Sequence, residues 1–103
     1  MAQTTALAPT TAAGQTTDIV VAAGATVAIS VYSTDAPTTY GTPYLGQLTL
    51  LRKIGTAYYP VPDETGSIAF LGDQKREIVV NAPGTYAVSK PITQFNVGVN
   101  VDS

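Results

Sequence analysis

The feature that most restricts this chain is a strict two-residue alternation. Val27, Ile29 and Val31 alternate with Ala28, Ser30 and Tyr32, and later Phe95, Val97, Val99 and Val101 alternate with Gln94, Asn96, Gly98, Asn100 and Asp102. Successive side chains point to opposite faces only in a strand, so each run is a half-buried β-strand with its larger apolar set inward. Upstream of the first run lies a second β-branched stretch, Ile19-Val20-Val21, separated from it by Ala23-Gly24-Ala25. Glycine tolerates the backbone angles of a tight reversal, and the arrangement predicts an antiparallel hairpin centred on Gly24.

The rest of the chain is punctuated in the same way. Strands are expected over residues 46–53, 56–61, 67–71, 76–81 and 85–89. Between them stand Ile54-Gly55, Pro62-Asp63-Glu64-Thr65-Gly66, Gly72-Asp73-Gln74-Lys75 and Ala82-Pro83-Gly84. These are turns with a mechanism, because proline presets φ and glycine accepts the left-handed position. Residues 34–43 carry Pro37, Gly41 and Pro43 and read as a loop. About seven or eight short strands, with no run of helical period, define an all-β fold: an antiparallel β-sandwich of Ig-like or jelly-roll-like type.

Two domains of behaviour are expected, an extended Thr/Ala-rich arm over residues 1–17 and the sandwich over residues 18–103. The arm has one Leu and no charge, too little apolar surface to offset its ordering entropy alone, so it is expected to be flexible by itself and either to be ordered by draping over a neighbouring chain or to serve as a linker. Leu50-Leu51 and Ile78-Val79-Val80 are apolar on both faces, which calls for cover from a second subunit or from the chain's own arm and loops.

Charged residues are only 12% of the chain and the net charge is −2. That balance offers no concentrated basic surface for nucleic acid. There is no membrane-length apolar run and no secretory leader pattern, so synthesis in a cytoplasm is expected. Histidine and cysteine are both absent, which removes Ser-His-Asp and Cys-His catalysis and thiolate metal sites. Serines 30, 33, 67, 89 and 103 lack an evident activating partner, and Asp63-Glu64 sits in a turn rather than across a cleft. Neither a calcium loop of Asp-x-Asp-x-Asp-Gly type nor a glycine-rich phosphate loop is present, and no cofactor or metal is expected. The basic pairs Arg52-Lys53 and Lys75-Arg76 are read as strand-end residues facing water or pairing with Asp73 and Glu77.

Tyrosine combines a large apolar body with a polar tip and suits both protein interfaces and sugar-stacking platforms. Tyr40, Tyr44, Tyr58 and Tyr59 cluster in the middle of the sequence, and with Leu7 and Pro9 of the arm they are the candidate interface residues.

Three stretches carry a family resemblance. They are Asp18-Ile-Val-Val-Ala-Ala-Gly-Ala-Thr-Val-Ala-Ile-Ser-Val-Tyr, Leu48-Thr-Leu-Leu-Arg-Lys and Ile78-Val-Val-Asn-Ala-Pro-Gly-Thr-Tyr-Ala-Val. The chain resembles small virion structural proteins of tailed bacteriophages, in which an Ala-Gly-x-Thr-Val turn is answered by an Ala-Pro-Gly-Thr-Tyr-x-Val turn and strand. The resemblance implies a non-enzymatic, multi-copy capsid decoration (cement) protein on the virion surface, whose partners are the major capsid protein and copies of itself, with no catalytic residue to carry over. A neck, tail or head-fibre component is a variant of the same reading. A carbohydrate-binding or adhesin module, with the four tyrosines as its platform, is the alternative of another class.

Overall fold

The computed structural model describes residues 3–34, 47–62, 69–72, 75–93 and 95–103, and these hold ten strands and no helix. In chain order they are β1 (Gln3–Thr10), β2 (Gly14–Gln15), β3 (Ile19–Val21), β4 (Val27–Ser33), β5 (Gln47–Ile54), β6 (Ala57–Pro60), β7 (Phe70–Gly72), β8 (Glu77–Val80), β9 (Gly84–Lys90) and β10 (Val97–Asp102). Sheet I has the order β1-β10-β4-β8. Sheet II is built on the central pair β9-β5, with β2 and β3 sharing one flank and β6 and β7 the other. Every pairing is antiparallel.

The two sheets stack as the alternation requires. Val27, Ile29 and Val31 of β4 and Val97, Val99 and Val101 of β10 meet Ile19, Val21, Leu48, Leu50, Leu71, Tyr86 and Val88 of sheet II in one core. The class of fold and its antiparallel sheets are those expected from the sequence. The strand number is higher because residues 3–15 add two strands.

The reversal at Gly24 differs from expectation. Gly24 does take φ 81° and the Ala25 N–H donates to the Ala22 carbonyl at 3.0 Å. Yet β3 pairs with β9 while β4 pairs with β10 and β8, so the turn carries the chain from one sheet to the other. Ile19 and Val21 thereby face Val27 and Ile29 across the core instead of lying beside them. Residues 81–83 likewise cross between sheets, from β8 to β9. A true hairpin forms at Gly55, whose φ of 66° closes β5 on β6.

Residues 3–15 are extended and lie against the rest of their own chain. β1 is the edge strand of sheet I beside β10, and β2 pairs with the far end of β9 in sheet II, so the connection between them straps one open side of the sandwich. Thr16 fixes the strap reciprocally: its N–H donates to the Val88 carbonyl and its Oγ1 accepts from the Val88 N–H, both at 3.0 Å. The Thr93 N–H donates to the Thr11 carbonyl at 3.0 Å. Lys90, only 2% exposed, donates from Nζ to the Ala12 carbonyl at 2.7 Å and to the Pro91 carbonyl at 3.0 Å. Removal from water pushes its ammonium below the usual lysine range. Hydrogen bonds to main chain and strand pairing, rather than apolar burial alone, are what hold a segment of this composition in place.

Candidate interaction surface

The outward faces of the two sheets are unlike. Register places Ala28, Ser30, Tyr32, Asn100 and Asp102 on the outside of sheet I together with Glu77 and Val79 of β8, a set that is mostly polar across β10 and β4 and carries the 58% exposed Val79 at its edge. On the outside of sheet II, Val20, Thr85, Lys53 and Tyr58 form one row across β3, β9, β5 and β6. The next row holds Ala87, Leu51 and Pro60, and the one after it Gln15, Ser89, Thr49 and Phe70. Val20 is 69% exposed and Phe70 40%, Leu51 is half-buried and Pro60 exposed, so apolar surface runs across the whole face.

A polar group is set into this face. Asp18, one residue ahead of β3, reaches across the sheet and accepts from Lys53 Nζ at 3.1 Å and from the Tyr58 hydroxyl. Lys53 Nζ also stands 5.7 Å from the centre of the Tyr58 ring. The hydrogen bond from Tyr58, and secondarily that from Lys53, holds the Asp18 carboxyl below its ordinary value. The same carboxylate raises Lys53 and Tyr58 above theirs. The Asp18 and Lys53 charges offset one another beside the Tyr58 hydroxyl, with exposed hydrocarbon on the flanks of the group.

Arg52, the neighbour of Lys53, points to the opposite face. It lies 5.6 Å over the Tyr86 ring, donates to the Pro83 carbonyl at 2.9 Å, and occupies the space beside Gly84 where a β-carbon would stand. It closes the end of the core at the crossing between β8 and β9. Lys53 thus pairs with Asp18, and Glu77 accepts from the Ser30 hydroxyl at 3.2 Å. The suggested partner Asp73 and the carboxylate pair Asp63-Glu64 lie outside the described residues.

The candidate residues are dispersed. Tyr58 belongs to the outer face of sheet II, whereas Tyr59, 52% exposed, shares the Arg52 row and projects from the opposite face. Adjacent residues of one strand cannot form a common platform. Tyr40 and Tyr44 lie outside the described residues. Leu7 packs against the core of its own chain, and the backbone at Leu7 and Pro9 crosses Gly98 so closely that a β-carbon there would meet Leu7 O at 2.9 Å and Pro9 N at 3.0 Å. Sequence reasoning missed Asp18, Lys53, Val20 and Phe70 as members of one face, since only the register of β3, β9, β5 and β7 brings them together. The doubly apolar strands are half covered: Leu51 is shielded in part, but Val79 at the edge of sheet I is 58% exposed.

Among the described residues no group of three or more His, Cys, Asp or Glu side chains could hold a metal ion, and no helix is long and apolar enough to cross a membrane. Comparison with known proteins gives no match to any family model, curated protein or solved structure.

Proposed function

We propose that this chain is a non-enzymatic structural protein of a bacteriophage virion, a capsid decoration (cement) protein that lays the outer face of sheet II on the major capsid protein lattice. The observation that carries the reading is the contrast between the two sheet faces. The outer face of sheet I is mostly polar with a single exposed valine, Val79, at its edge, and the other exposes Val20, Leu51, Pro60 and Phe70 around a self-neutralised Asp18-Lys53-Tyr58 group. Exposed apolar surface of this extent on a chain of low charge marks a contact surface. Multiple copies on a repeating lattice need only modest affinity each. The arm enters as the strap that keeps the sandwich shut rather than as the tether to a neighbour. A sugar platform of four tyrosines is the weaker reading, because Tyr58 and Tyr59 point to opposite faces.

The test is co-sedimentation of the protein with particles lacking it and, in parallel, with sugar-coated beads. Saturation at a fixed number of copies per head supports decoration. Binding confined to necks, tails or fibres moves the protein within the virion, and retention on sugar without particle binding overturns the proposal.

A further inference from the structure

Of the four lateral edges of this sandwich, three are interrupted. The β1 edge carries Pro9 and two register shifts, at residues 5–7 and 7–10. The opposed edges of sheet II are each divided between two short strands, β2 with β3 and β6 with β7. Proline, bulges and short strands are the usual protections against pairing with another chain. The β8 edge, four residues long and carrying Glu77, has neither proline nor bulge. Within Glu77-Ile78-Val79-Val80 the Val79 side chain is 58% exposed.

The ladder to β4 shows which main-chain groups remain. Val31 N–H donates to the Arg76 carbonyl at 2.8 Å, and in the same register Ile29 opposes Ile78 and Val27 opposes Val80. Antiparallel pairs alternate, so the N–H and C=O of Glu77 and Val79 point away from β4. Among the described residues neither finds a main-chain partner there. Beside this edge an open groove of about 590 Å³ descends between the sheets, lined by Leu50, Val61, Ala69, Val80 and Tyr86.

We propose that β8 pairs antiparallel with β8 of a second copy, joining the two copies of sheet I into one continuous sheet across a two-fold axis. Charge selects the register. With Val79 opposite Val79 of the partner subunit, Ile78 meets Val80 of the partner subunit and Glu77 meets Asn81 of the partner subunit, an amide able to donate to the carboxylate. Sliding one strand by two residues sets Glu77 against a valine, and by four sets it against Glu77 of the partner subunit, where like charges repel. The favoured register also lays Ile78 and Val80 of each copy beside the other's, which extends the core over the mouth of the groove. The inference concerns the isolated chain and does not rest on the virion reading.

The chain has no cysteine, so single-cysteine variants report contacts cleanly. Hydrogen-bonded antiparallel partners have Cα atoms about 5.5 Å apart, within disulfide reach. Val79→Cys should therefore cross-link to a dimer under mild oxidation, while Val20→Cys, on the outer face of sheet II, stays monomeric at the same concentration. Sedimentation of the unmodified chain should show a concentration-dependent dimer, weakened about tenfold or more by Val79→Pro. That substitution removes an outward N–H and spares the ladder to β4, so circular dichroism of the variant should be unchanged. A chain that remains monomeric at every concentration overturns the proposal, as does cross-linking of Val20→Cys at the rate of Val79→Cys. A folded Val79→Pro variant that dimerises as before also overturns it.

Discussion

At Gly98 there is no room for a side chain. A β-carbon would stand 2.9 Å from Leu7 O, 3.0 Å from Pro9 N and 3.1 Å from Pro9 Cδ, and backbone cannot yield as the tip of a side chain does. Gly98→Ala should push β1 off β10 and lower stability by about 1–3 kcal/mol in denaturant titration. Asp18 supplies the second residue-scale test. Its carboxyl is held below 3.8, first by Tyr58 and then by Lys53. A depressed carboxylate contributes stability that is present above its unfolded value and lost as pH falls through its folded value. Carboxyl NMR should place the Asp18 midpoint below 3.8, with Tyr58→Phe and Lys53→Met each moving it back upward. A midpoint unmoved by Tyr58→Phe would dissolve the group. None of this was legible in the sequence, where Lys53 and Asp18 stand 35 residues apart and the basic pairs have nearer acids to suggest.

Strand positions and inward faces could be read from the chain, but strand partners could not. The alternation in β4 and β10 named six core valines and isoleucines correctly, because period two has a single structural meaning. The turn residues at Gly24 and 82–84 were also real turns. A turn residue fixes a local φ, however, and does not say whether the next strand joins the same sheet or the facing one. The strand pairing of the arm was not legible either. The arm's composition argues flexibility when apolar area alone is counted, yet an edge strand is held chiefly by its main chain, and Thr favours strands. Lys90 was silent in the sequence because a lone lysine reads as solvated. Lys90→Ala should leave the Ala12 and Pro91 carbonyls without their donor, lower stability by about 1–3 kcal/mol and quicken amide exchange at Thr93 and Thr17. The pH dependence has a definite sign. The folded pKa is lowered, so the buried charge is a cost that is relieved as pH rises from the folded value toward 10.5. That alkaline gain should vanish in Lys90→Ala, whereas the opposing alkaline loss from raised Lys53 and Tyr58 should remain. Thermal unfolding across alkaline pH measures both.

Among the described residues the molecule is a sandwich strapped on one side, without a strand partner along β8 on the other, and different on its two broad faces. The central claim is that the outer face of sheet II is the binding surface. The most direct measurement counts copies bound to particles lacking the protein, comparing the unmodified chain with a Val20→Lys/Phe70→Lys variant and with Asn100→Lys on the outer face of sheet I. All three substituted side chains lie outside the core, so each variant should stay folded by circular dichroism. The account predicts a saturating copy number for the unmodified chain and for Asn100→Lys, and an affinity weakened about tenfold or more for the double variant. Equal binding by all three, or loss of binding only in Asn100→Lys, would contradict it.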